Sequence, residues 1–454
     1  MRIGRRVSVL AALLGFSVVA FCEPVPLPPG SGPVPALSEK VRVGAIVGAE
    51  QAELYRALLP PEVLDMAARG DLAFEAADVE LPRPSSLTPA ISPRLLDSGE
   101  IDGLPAHVEA PIFSAAASDM DPLSPAARGY RLLWNAEAIG WSQGAFSESL
   151  RISAFPSRKS EGRQLEVTFA RAYPAALGSA TAGSKALFRE RIRFQSPSAL
   201  LGLTWLSFRL PGRSDDYVWA SSPVTFTVRQ MAGSVRSDDM FPTGFAANDL
   251  HVWSGKIESV VPRKVDRTVV LVPVLADRVD LVRAGKEKCV SLPGNRPLVS
   301  LNAETRRYPP YPGWVPTNVR LVPRRAWRLE LSSRDPYDLD AIQALYVDEE
   351  TSLPVYRVAW GEDGALRKVV LGVVGFLGYE NRELPWILGE LVHSVSSASS
   401  LALRVTALEL CSAPTPGNTL EDFDPAALSA AIDALKKGRA PDVAVAEGAP
   451  PESE

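Results

Sequence analysis

From about Ile152 to Val374 the chain alternates apolar and polar residues with a period of two. Leu165, Val167 and Phe169 alternate with Gln164, Glu166 and Thr168. Val224, Phe226 and Val228 alternate with Thr225, Thr227 and Arg229, and Trp327, Leu329 and Leu331 with Arg328 and Glu330. Successive side chains of a strand project to opposite faces, so this pattern describes half-buried strands with one apolar face. The 40 prolines and 32 glycines punctuate short strands well and exclude a helical bundle. The expectation is a mainly β (α+β) fold, built on one large curved antiparallel sheet.

Strand signals follow one another at short intervals: Arg163–Arg171, Phe188–Gln195, Leu200–Leu210, Tyr217–Val228, Leu250–Glu258, Thr268–Leu275, Arg325–Leu331, Ile342–Val347, Val355–Trp360 and Ala365–Val374. The last two are joined by Gly361-Glu362-Asp363-Gly364, where Asp-Gly supplies the positive φ angles of a hairpin. Short turns imply antiparallel neighbours, hence a meander. The spacing predicts helices over Ala49–Leu59 and Glu62–Arg69, broken at Pro60-Pro61, and over Leu384–Ser394. A last helix is predicted over Phe423–Lys437, with Asp424 as N-cap and Pro425 at the first helical position.

The N-terminus reads as an export signal over 1–22: Arg2, Arg5 and Arg6 precede an apolar run, Val7–Phe21, too short to span a bilayer permanently. Cys22 is either removed by ordinary cleavage or acylated, and the mature chain has no segment of transmembrane length. A proline-rich linker follows (23–38), then the main domain (39–420), then a short helix with an acidic, disordered tail (421–454). The protein is therefore expected to be periplasmic, with outer-membrane anchoring if Cys22 is lipidated. Cys289 and Cys411 are then the remaining thiols; an oxidising compartment would let them pair, and two buried free thiols stay equally open.

Net charge −5 excludes nucleic acid as a main partner. The three histidines, His107, His251 and His393, stand far apart and in no metal-binding spacing, and no nucleophile elbow, phosphate loop or dinucleotide fingerprint occurs. Asp215-Asp216, Asp238-Asp239 and the turn Asp348-Glu349-Glu350-Thr351 read as solvated turn carboxylates. No catalytic residue, metal site or cofactor is expected. Arg189, Arg191 and Arg193 share one strand face opposite Phe188, Ile192 and Phe194, either as a solvated face or as a site for an acidic headgroup or a partner's carboxylates. Trp205, Phe208, Trp219, Phe226 and Trp253 crowd into a short stretch, and are the candidates to line an apolar cavity. Leu200–Leu210 is apolar on both faces, which helices covering an outer face would also explain.

Three segments resemble a family of Gram-negative envelope proteins called domain of unknown function 1329: Asp215–Gln230, Phe241–Glu258 with Asp249, Trp253, Gly255 and Lys256, and Arg324–Val369 with Tyr346, Val347, Asp348, Asp363, Gly364, Leu366 and Arg367. Tyr130–Asn135 and Gly103-Leu104-Pro105 match further elements upstream. The family's fold is similar to the lipoprotein-sorting proteins LolA and LolB. The resemblance implies a half-open β-barrel with a few covering helices, in the periplasm, handling lipophilic molecules beside an export machine. The expected function is a non-catalytic binding or carrier protein for an acyl chain or lipid. The alternative is a structural or adaptor component of an envelope export complex.

Overall fold

The computed structural model describes residues 43–77, 81, 113, 115–141, 144–158, 162–174, 186–212, 215–240, 244–284, 288–413 and 419–437. The export signal, the proline-rich linker, the acidic tail, Cys22, Gly103–Pro105 and His107 lie outside them. The described strands join into one 18-stranded sheet. Six of them form the first arm: β1 (Ala145–Phe155), β2 (Gln164–Ala172), β3 (Phe188–Ser196), β4 (Thr204–Arg209), β5 (Tyr217–Ser222) and β6 (Thr227–Met231). Each pairs antiparallel with its sequence neighbour. Seven more form the second: β7 (Val260–Leu275), β8 (Val319–Ser333), β9 (Ile342–Asp348), β10 (Pro354–Trp360), β11 (Leu366–Tyr379), β12 (Arg382–Ser394) and β13 (Ser399–Cys411). These also run as an antiparallel meander.

The arms meet where β13 lies antiparallel to β1, with Leu403 opposite Ile152. At the far end β7 curls back to touch β11 in parallel, Val274 against Val374. The second arm thus closes on itself while β6 leaves the other end open, which is the half-open ring expected. Helix α1 (Pro61–Ala68) packs with the short turn Ala52–Tyr55, and helix α2 (Pro125–Trp141) lies against β7. Ser124 Oγ accepts from the Ala127 amide and Pro125 starts α2, a good helix entry. Gly129 lets α2 approach the strand: a Cβ there would stand 2.3 Å from Pro262. Tyr130 donates its hydroxyl proton to the Val260 carbonyl at 3.0 Å.

Three expectations are corrected. Leu384–Ser394, predicted as a helix, is most of strand β12. It is buried on both faces, so its apolar run lacks alternation, and a short run of that kind does not distinguish strand from helix. Leu250–Glu258, predicted as a strand, is a loop between the turns Ala247–Asp249 and Ile257–Ser259, with His251 at φ 53° and Val252 at φ 68°. Tyr217–Val228 is not one strand: Pro223 stands at the turn of a hairpin, leaving Val224 and Phe226 exposed. The two cysteines are joined: Cys289 and Cys411 form a disulfide between directly paired strand positions.

Candidate functional site

The inner face of the first arm is apolar at most positions: Phe146 on β1, Leu165, Val167 and Phe169 on β2, Phe188, Ile192 and Phe194 on β3. Three charges interrupt it at the same parity. Arg171 follows Phe169 by two residues, Glu190 lies between Phe188 and Ile192, and Arg209 pairs across from Phe188. All three are buried. A charge without water requires a partner, and here the loop 244–259 and its neighbours supply several.

Glu190 Oε2 accepts from Arg171 Nη2 at 2.6 Å, and its Oε1 accepts from Arg236 Nη1 at 3.0 Å. Burial alone would raise this carboxyl, but Arg236 and Arg171 hold it down at about 2. Arg209 Nε donates to Asp216 at 2.7 Å, and Lys256 Nζ donates to the other Asp216 oxygen at 2.9 Å. Asp216 is thus a buried structural anion rather than a solvated turn carboxylate; Asp238 and Asp239 are exposed as expected. Asp348 is also buried, and accepts from Arg324 at 2.7 and 2.8 Å.

A second cluster anchors the loop to the other arm. Asp249 accepts from Arg357 and from Lys368 Nζ, the latter at 3.0 Å. His251 Nε2 lies 3.1 Å from both Glu148 oxygens, and Trp386 Nε1 donates to Glu148. Burial opposes the imidazolium, yet the Glu148 carboxylate raises His251 above its ordinary value. The His251 amide donates to Glu390 at 2.6 Å, while burial pushes Glu390 up to about 8. These contacts hold two consecutive left-handed residues, one of them β-branched, in a conformation that costs on the order of 1–3 kcal/mol each.

Between the arms, beneath this loop, lies a cleft of about 590 Å³ counted out to open solvent, in which a water centre finds about 40 Å³. Phe146, Phe188, Trp253, Leu353, Trp386 and Ile387 give it apolar walls, and Glu137, Arg171, Arg209 and His251 give it charges.

Of the five aromatic candidates, only Trp253 lines this cleft. Trp205 faces the main core beside Ile192. Phe208 and Trp219 lie on the opposite sheet face, in a separate apolar cluster with Phe423 and Leu428. Phe226 is exposed in its hairpin turn. Helix α3 (Pro425–Lys436) and the turn Leu420–Phe423 therefore cover the outer face, which explains Leu206 and Phe208 on β4; Leu200–Leu203, expected in the same strand, precede it, with Leu201 exposed.

Arg189, Arg191 and Arg193 do share the outer face, where the same segment meets two of them. Arg189 Nη1 donates to the Leu420 carbonyl at 2.9 Å and Arg191 Nη1 to that of Asp422 at 2.8 Å. Arg191 also stacks over Phe423. His393 is buried and hydrogen-bonded to Ser400 Oγ at 2.9 Å, a structural histidine. The loop Tyr308–Pro316 is a packed crossing, with Trp314 Nε1 donating to the Asp71 carbonyl.

Sequence reasoning missed Arg171, Glu190 and Arg209. The signal was present for two of them, since Arg171 and Glu190 are charges at the apolar parity of alternating strands, whereas Arg209 ends a strand that is apolar on both faces. Among the described residues, the grouping with metal-like spacing is Cys289, Glu409 and Cys411, whose sulfurs are joined to each other. No described helix is long and apolar enough to cross a membrane.

The chain matches no protein-family model and no curated protein. It is similar to several solved structures. One is a candidate outer membrane lipoprotein-sorting protein domain from Vibrio parahaemolyticus, at 13% identity and TM-score 0.45, covering 67% of this chain and 99% of that one. A DUF1329 family protein from Desulfovibrio piger gives 13% identity and TM-score 0.43, covering 67% and 100%. A LolA superfamily protein from Nitrosomonas europaea gives 13% and 0.36, covering 63% and 96%. The Desulfovibrio piger protein bears the name of the family that Asp215–Gln230, Phe241–Glu258 and Arg324–Val369 resemble.

Proposed function

We propose that this chain is a non-catalytic binding protein of the cell envelope that shelters the apolar part of a lipophilic molecule, an acyl chain or lipid, between the two arms of its sheet. The observation that carries this reading is the cleft under the 244–259 loop. Its walls come from β1, β3, β10 and β12, so both arms contribute apolar side chains to one space. What closes that space is a loop with two left-handed residues rather than a second sheet. The Cys289–Cys411 disulfide supports an exported, oxidising location.

Native mass spectrometry after gentle purification, with uptake of a fluorescent fatty acid, tests the reading. A co-purifying lipid or saturable uptake is expected. Repeated lipid-free preparations together with no uptake would defeat it.

A second reading, a structural or adaptor component of an envelope transport complex, is favoured by one observation: the loop leaves only about 40 Å³ open to water centres. That is far below the few hundred Å³ of ordinary ligand pockets. Under this reading, cross-linking in intact envelopes captures a partner and lipid uptake is absent.

A further inference from the structure

The charged end of the cleft is short of negative charge. Arg171 and Arg209 line it, and Arg236 and Lys256 behind them share the same two close carboxylates, Glu190 and Asp216. The remaining carboxyls, Glu137 and Glu258, are buried, and desolvation raises both, Glu258 to about 7. Glu190 thus divides its charge between Arg171 and Arg236, and Asp216 between Arg209 and Lys256.

The under-used donors can be named. Arg171 Nε and Nη2 serve Glu190, and Nη2 also reaches Ser254 Oγ at 2.8 Å, but its Nη1 makes only a 3.5 Å contact with the Tyr173 hydroxyl. Arg209 Nε serves Asp216, its Nη2 the Ser254 carbonyl, and its Nη1 the Gly255 carbonyl at 3.0 Å; its longest contact, 3.4 Å, joins Nη1 to Glu137. Both guanidiniums lie against the Phe188 ring, 4.2 and 4.9 Å from its centroid, so they share one apolar neighbour. Both line the cleft.

We infer that the cleft binds the oxyanion head of an amphiphile, a carboxylate or a phosphate monoester, on Nη1 of Arg171 and of Arg209, with the apolar part against Phe146, Phe188 and Trp386. This rests on the binding role proposed above and adds the class of ligand. About 40 Å³ for water centres suits a head group, while a chain extends along the apolar walls toward solvent. Charge-assisted hydrogen bonds in a site walled by aromatic rings are stronger than the same bonds in water. Glu137 competes for the same Arg209 donor, so the ligand takes the place of a weak internal partner.

The test compares decanoate, decyl phosphate and decanol, followed at pH 8 through the fluorescence of the cleft tryptophans and by calorimetry. At least one anion is expected to bind about tenfold more tightly than decanol, the ratio that one charge-assisted bond supplies. The ratio between the two anions tells carboxylate from phosphate. Equal or tighter binding of decanol overturns the inference while leaving the binding role intact. Binding of none of the three overturns both. Glu137→Gln, which keeps the side chain's shape, is expected to tighten decanoate about two- to threefold and leave decanol unchanged. No change for decanoate, or an equal change for decanol, also overturns it.

Discussion

Replacing Glu190 by Gln keeps the side chain's volume and removes one charge from the centre of the first arm. Glu190 is fully buried and accepts from Arg171, Arg236 and, at 3.4 Å, Ser207 Oγ. In the variant two buried guanidiniums lose their shared anion. Removing one partner of such a pair costs roughly 3–5 kcal/mol. The protonation balance gives an independent figure. A fall from the ordinary 4.5 to about 2 corresponds to about 3–4 kcal/mol. The folded-state value is depressed, so this stability is fully present above the unfolded value and disappears as pH falls through about 2. Urea unfolding, followed by fluorescence and circular dichroism between pH 7 and pH 3, should show Glu190→Gln less stable by about 3 kcal/mol at pH 7. The gap to the unchanged protein should narrow as pH falls below the ordinary carboxylate range. Glu166→Gln is the control: that residue is exposed and its ion pair with Arg151 is 3.3 Å long at the surface, so about 0.5 kcal/mol or less is expected. A loss below ~1 kcal/mol at pH 7 for Glu190→Gln, or a loss equally large at pH 3, would refute the reasoning.

Glu390 behaves with the opposite sign. Burial raises it to about 8, so the folded state binds a proton that the unfolded state has released between the ordinary carboxylate range and about pH 8. Stability falls across that window, and Glu390→Gln should be more stabilising at pH 9 than at pH 5 in the same unfolding assay; the reverse order would contradict the burial argument. For the disulfide, Cys289 and Cys411 are 122 residues apart, and Cys289→Ser with Cys411→Ser should lower stability by roughly 2–5 kcal/mol. The double variant should also lose the sensitivity to dithiothreitol that the unchanged protein shows.

The strand parity was legible because it is local. Gln164–Ala172 and Phe188–Ser196 show their inner faces directly, and the C-terminal helix starts as expected, with the Ala426 amide donating to Asp424 Oδ1 at 2.8 Å, whereas of the expected helix Ala49–Leu59 only the turn Ala52–Tyr55 forms. The outer arginine row was read with the correct side, but its companion is a segment more than 200 residues away. Trp205, Phe208 and Trp219 were grouped by nearness in sequence. In a strand, odd and even positions separate onto opposite faces, so Trp205 went to the main core and Phe208 and Trp219 to the cluster under the C-terminal segment.

Alternation, proline and glycine usage and turn residues by themselves determined a mainly β chain in antiparallel order. They did so because the side-chain direction along a strand depends only on residue parity. Tertiary structure decided the rest. It made a strand of Arg382–Ser394, since neighbouring strands bury both its faces. It made a loop of Leu250–Glu258, since Asp249 and His251 are held by Arg357, Lys368 and Glu148 from distant strands. It also turned three charges on an apolar face into a paired cluster. A buried charge is tolerated only where its counter-charge arrives, and no local pattern records which distant residue will bring it.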